Sequence, residues 1–159
     1  MKIVGTLCYL IREGKVLLLQ KARGFGKGRW NAPGGKLAAG ESPEECTKRE
    51  VFEETGLTPL DLTLHGRLDF YFGQEQEPDW IVHVFSSRKF EGNLKSSVEG
   101  SVRWFPVEAM PYGEMWADDV AWVPLLLTGK RFRGRFYFDA QAERLLHYFL
   151  IEDFQRPEN

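Results

Sequence analysis

The sequence is poor in residues that cross-link chains or cage metals, with two cysteines, Cys8 and Cys46, and three histidines among 159 residues. Two thiols in a chain of this length make no disulfide framework, and with the histidines they form no zinc pattern. Both are read as buried thiols, and His65, His83 and His147 as structural or surface groups. Long apolar runs are also missing; none approaches the ~18 residues of a membrane span. The opening MKIVGTLCYLI alternates too early for a signal peptide and has no small-residue cleavage site. The cytoplasm is therefore the expected compartment, with no membrane partner. Basic excess is absent as well. The net charge is −2, which disfavours duplex nucleic acid, because that binding rests on many Lys/Arg–phosphate contacts. A short phosphate chain neutralised by a bound cation stays compatible. There is no repeat and no linker, so one domain over 1–159 and a monomer are expected.

What is present is 43% hydrophobic and 14% aromatic residues, including five Trp and twelve Phe. That is more aromatic surface than a core of this size needs, so part of it is expected to line a flat, ring-shaped pocket. Apolar runs at 3–11 and 15–20 around Arg12-Glu13-Gly14 predict a β-hairpin. Residues 21–40, rich in Gly and Lys/Arg, have no periodicity and predict a functional loop. Over 42–56 the helix signals are complete: Ser42 as N-cap, Pro43 at the first position, Glu45 closing an S-x-x-E box, Gly56 as the stop. Strands are predicted near 62–72, 80–90 and 99–106, and a closing pair at Phe132–Phe138 and Leu145–Ile151. A second helix over 118–128 opens on Asp118-Asp119, with Pro124 expected to shorten or kink it. The fold class is α/β (α+β), a mixed sheet sandwiched between helices.

In the first helix Glu50, Glu53 and Glu54 stand at i, i+3 and i+4 and share one face, with Glu41 just upstream. Like charges at that spacing repel, and Lys48 and Arg49 relieve only part of it. Either the face is simply solvated, or it holds a divalent cation, since hard ions take carboxylate oxygens and share substrate phosphates. The glycine-rich loop favours the second, because Gly34-Gly35 lets backbone approach an anion closely.

The run from Gly35 through Glu41, Arg49-Glu50-Val51 and Glu53-Glu54 to Gly56-Leu57 fills every fixed position of G-x5-E-x7-R-E-U-x-E-E-x-G-U, where U is aliphatic. The chain thus resembles the Nudix hydrolases. The resemblance implies the Nudix fold and Mg²⁺ as cofactor, with Mn²⁺ able to substitute. It implies Glu50, Glu53 and Glu54 as metal ligands, joined by Glu99 and Gly34. Glu53, Glu54 or Glu99 would supply the base, and Arg49, paired with Glu41, would orient the glutamates.

Outside that box, KARGFGKGRWN at 21–31 and MWADDVAWVPLLL at 115–127 are similar to the animal-type MutT homologues, which remove oxidised purine nucleoside triphosphates such as 8-oxo-dGTP. Further matches are Phe70-Tyr71-Phe72, Val82-His83-Val84-Phe85 and Trp104-Phe105. The resemblance implies that the base stacks on Trp116 while Asn31, Asp118 and Asp119 read its edge. Phe25, Phe70, Lys21, Thr6 and Trp122 would complete the substrate site. One aspartate of an adjacent pair in an aromatic pocket keeps its proton, so one donates and the other accepts. Both 8-oxo-guanine and 2-hydroxy-adenine nucleotides are then expected substrates, cleaved to monophosphate and pyrophosphate. On the residues alone, Asp118-Asp119 could equally cap the second helix. Trp30, Trp104 and Trp122 are read as core, with Trp122 also able to close one pocket wall.

The sequence departs from that group at Ala32-Pro33, where Gly-Phe is usual, and over Gly73–Trp80. Both lie beside the expected pocket and bear on base preference, not on phosphate chemistry. The alternatives are a Nudix hydrolase for ADP-ribose or a dinucleotide polyphosphate, and a non-catalytic module that binds nucleotide or RNA. The intact glutamates speak against the second.

Overall fold

The structure, a computed structural model, describes residues 2–153. The hairpin forms as expected: β1 (Ile3–Arg12) and β2 (Lys15–Lys21) join through Glu13 and Gly14, at φ 51° and 72°. Two successive positive φ values give the turn twist that matches flanking strands. The strands pair only beside this turn, at Ile11 with Val16 and Arg12 with Lys15, and then part. β1 goes on to run parallel to β7 (Trp80–Ser87), while β2 runs antiparallel to β9 (Gly100–Pro106).

One mixed nine-stranded sheet results. It also takes in β3 (Trp30–Asn31), β4 (Gly34–Lys36), β6 (Thr63–Phe72), β10 (Arg131–Phe138) and β11 (Leu145–Asp153). A small separate sheet pairs β5 (Leu57–Pro59) with β8 (Phe90–Gly92), an element absent from the sequence expectations.

β1 shows why the sheet lies between helices. Cys8 and Leu10 face one side, packing with Leu17, Val51 and Phe85 near helix α1 (Pro43–Thr55). Tyr9 and Ile11 face the other, packing with Leu18, Trp122 and Phe132 near helix α2 (Asp119–Leu127). A strand buried on both faces reads as an unbroken apolar run, which is how residues 7–11 appear.

Both helices start close to where the sequence places them. In α1 the Ser42 hydroxyl accepts from Glu45 N–H at 3.1 Å and the Glu45 carboxylate accepts from Ser42 N–H at 2.9 Å. Gly56, at φ 80°, ends the helix by donating to Phe52 O. α2 begins one residue later than expected and keeps Pro124 inside it. Asp118 makes no side-chain cap, so capping is not what this carboxylate does. No helix of the described residues is long and apolar enough to cross a membrane.

Candidate active site

A cleft of about 400 Å³ opens among β1, β3, β4, the 22–29 loop and the start of α2. Its inner end is acidic and aromatic, and its other end meets α1 at Gly34, Gly35 and Glu54.

At the α1 end, the capping box and helix register project Glu50 and Glu54 toward β4. Glu54 is 7% exposed and accepts the Gly34 N–H at 3.0 Å. Burial, reinforced by the charges of Glu50 and Glu99, pushes its carboxyl up to about 8, against the Gly34 hydrogen bond and Lys21. The Glu50 carboxyl packs onto Gly35 so tightly that a Cβ there would lie 2.3 Å from its carbon. Any side chain at 35 would displace that carboxylate, and one at 34 would run into the Thr6 backbone carbonyl, so each of the paired glycines has its own physical reason. Arg49 gathers its neighbours, donating to Glu41 at 2.7 Å, Glu50 at 3.0 Å and Glu53 at 3.3 Å. Glu41 is held down to about 2 by Arg49 and by the Ala38 N–H. Glu99 pairs with Arg23 at 3.0 Å, and its carbonyl accepts from Ala22 N–H, which sets it beside the 21–23 segment.

Among the described residues no three acidic, imidazole or thiol groups are drawn together into a ready-made metal cage. Glu53 is turned outward onto Arg49, 55% exposed, and Gly34 meets the cluster through its amide. The donors nevertheless suit a hard divalent ion: they are carboxylates, one of them buried without a paired protein cation. Mg²⁺ needs only one or two carboxylates when substrate phosphates complete its shell.

At the inner end, Asp118 and Asp119 are each 2% exposed. The Asp118 carboxylate accepts from Trp122 Nε1–H at 2.7 Å. Asp119 Oδ2 is buried with no hydrogen-bond partner. Burial raises both carboxyls, Asp118 to about 6 despite the Trp122 bond, and Asp119 further because the charge of Asp118 adds to it. A buried polar atom left without a partner costs ~1–3 kcal/mol, which a ligand edge would recover. Trp122, read as core that closes one wall of the pocket, keeps no exposed surface and packs edge-on against Tyr9 at 5.7 Å. It lines the floor of the cleft and also holds the Asp118 carboxylate in place.

Asn31 closes β3 beside this pair. Its side-chain oxygen accepts from Ala32 N–H at 2.8 Å, leaving the NH₂ and one lone pair for a ligand. That is narrower than a carboxamide free at both ends. Pro33, lacking an N–H, separates β3 from β4, while its carbonyl accepts from Cys8 N–H. Thr6 and Lys21 line the cleft, Thr6 with its hydroxyl 3.7 Å from Cys46 Sγ. Phe70, also lining it, stacks on Phe136. Trp116 stands at the mouth, with Phe25 at 5.0 Å and 31°. Cys8 and Cys46 are buried as expected, and His65 is a structural group bridging Lys130 O and Ser86 Oγ.

Lining residues that the sequence reading did not single out include Trp80, whose ring stacks with Phe25 at 12° and 6.2 Å; Gly26, whose left-handed φ of 84° brings backbone against Trp116; and Arg29. Arg29 lies in the loop composition already singled out, but nothing in spacing showed which ring it meets.

The carboxylate helix packed against a glycine strand beneath a mixed sheet is the architecture of the Nudix hydrolases. The NUDIX domain family matches residues 1–126, and the chain belongs to it, an enzyme of a family that generally uses divalent metal ions. Within the family the chain is 43% identical over 134 residues to an oxidized purine nucleoside triphosphate hydrolase of Danio rerio, covering 84% of this chain and 85% of that one. It is 41% identical over 148 residues to the enzyme of the same description from Mus musculus, covering 92% and 93%. Among solved structures, a MutT protein from Bacillus halodurans matches with a TM-score of 0.83 and 34% identity, over 93% of this chain and 97% of that one.

Proposed function

We propose that this Nudix hydrolase cleaves oxidised purine nucleoside triphosphates, 8-oxo-dGTP and 2-hydroxy-dATP, to the monophosphate and pyrophosphate, removing damaged precursors from the nucleotide pool. The observation that carries the proposal is the buried Asp118–Asp119 pair, with Asp119 Oδ2 unpartnered, in the same cleft as Asn31, Trp116 and Glu54. The two relatives described as oxidized purine nucleoside triphosphate hydrolases support it.

Each end of the cleft has its own task. Trp116 supplies a flat face for the base. Asp119 keeps its proton and donates it to a carbonyl on the base edge, while Asp118 accepts from a ring N–H or amino group. An adenine-type edge reverses the pattern of donors and acceptors, and the pair answers by moving its proton. The Asn31 NH₂ adds a donor. At the other end Glu50, Glu53 and Glu54, with Glu99, would hold Mg²⁺, which when bound screens the phosphates and lowers the pKa of a bound water. Arg49 keeps Glu50 and Glu53 in place, Glu41 keeps Arg49 in place, and Lys21 faces the phosphates as a cation. Glu53, Glu54 or Glu99 takes the proton of the attacking water.

A panel of 8-oxo-dGTP, 2-hydroxy-dATP, dGTP, dATP and ADP-ribose, with products identified, tests this. The oxidised triphosphates should give the highest kcat/KM and release pyrophosphate. Comparable kinetics for dGTP and 8-oxo-dGTP would count against the base assignment, and preferred ADP-ribose turnover would replace it.

A further inference from the structure

The Arg29 guanidinium carbon lies 4.2 Å from the centre of the Trp116 ring. It comes from the last residue of the glycine-rich loop, just before Trp30 enters the buried core. Gly26 and Gly28, at φ 84° and 90°, and the hydrogen bonds Arg29 N–H to Gly26 O and Gly28 N–H to Lys21 O fold that loop back on itself. The same folding brings Gly26 to Trp116, where a Cβ would meet the indole at 3.1 Å. Trp116 is therefore gripped by a segment about ninety residues earlier in the chain. The rest of its visible ring contacts are Phe25, tilted at 5.0 Å, and Phe138, edge-on at 6.1 Å.

A flat ring has two faces. With the guanidinium over one of them, a stacking base would take the other, and the cation's charge draws electron density out of the indole. An electron-poor indole stacks better on an electron-rich ring, and an oxidised purine is such a ring. We infer that Arg29 is a positioning residue for the base: it fixes the plane of Trp116 from behind and tunes the opposite face toward electron-rich purines. This rests on the reading of Trp116 as the base platform. Arg is suited to the task and Lys is not, because a planar delocalised cation lies flat on the ring where an ammonium cannot.

The test uses Arg29→Met, which keeps the stem without the charge, Arg29→Lys, and Trp116→Ala. KM and kcat for 8-oxo-dGTP are measured beside inhibition by inorganic tripolyphosphate, which has the phosphates and no base. Arg29→Met should raise KM by about two- to five-fold, the weight of an exposed cation–π contact, with a smaller change in kcat and none in tripolyphosphate inhibition. Arg29→Lys should recover only part of the loss. Weaker tripolyphosphate inhibition in Arg29→Met would make Arg29 a phosphate ligand and overturn the inference. If Trp116→Ala raises KM and Arg29→Met does not, the role of Arg29 falls alone. If neither variant changes KM, the base platform is not Trp116 and the underlying reading falls with it.

Discussion

Glu54 is a carboxylate placed where a charge is hard to keep. Burial, Glu50 and Glu99 raise its carboxyl to about 8, and among the described residues no arginine or lysine lies in a salt bridge with it. Nothing about stability asks for an acid there, so its identity is a matter of chemistry. Glu54→Gln should abolish Mg²⁺-dependent turnover while the melting temperature of the metal-free protein stays the same or rises; wild-type rates from that variant would remove Glu54 from the metal site. Asn31→Ala and Asp118→Ala should act differently. They should lower kcat/KM for 8-oxo-dGTP by roughly ten- to hundred-fold, the weight of ~1–3 kcal/mol for a lost buried pairing, and leave tripolyphosphate inhibition unchanged. An equal loss against both ligands would contradict a role confined to the base.

At the scale of single elements, α1 was legible to its first and last residue because every signal is local: Ser42, Pro43, Glu45 and Gly56 lie within or beside the helix they define. Removing one signal should have a local price. Ser42→Ala should lower stability by ~1 kcal/mol in thermal or urea unfolding, and an unchanged midpoint would show the capping box to be idle. β5 and β8 stayed hidden because strands of three residues show no alternation. The start of α2 left two readings open. An Asp pair before an apolar run has the look of an N-cap, yet Trp122 Nε1–H one turn on takes the Asp118 oxygen. A pairing four residues away on a helix is readable in principle, but only once the pair is known to be buried.

Across the whole molecule, the cleft joins residues from 5 to 138, and such a convergence depends on strand order. The parallel pairing of β1 with β7, and of β6 with β10, carries Trp80, Phe70 and Phe138 to the mouth. No local pattern encodes that order, which is why Trp80 and Arg29 were missed while the clustered glutamates of α1 were not. The buried aspartates also leave a signature on global stability. Asp118 holds its proton to about 6, above the ordinary 3.8, so its contribution to stability is fully present below 3.8 and is lost as pH rises through about 6. Without ligand, the melting temperature of Asp118→Asn minus that of wild type should therefore increase between about pH 4 and pH 8; a flat difference would mean that Asp118 titrates as an ordinary surface acid.

Pyrophosphate release from 8-oxo-dGTP, followed with and without Mg²⁺ and set against dGTP at equal concentration, tests the two ends of the cleft together. The account predicts release that requires the cation and a clear preference for the oxidised base. Release that ignores the cation, or the same rate for both nucleotides, would contradict it.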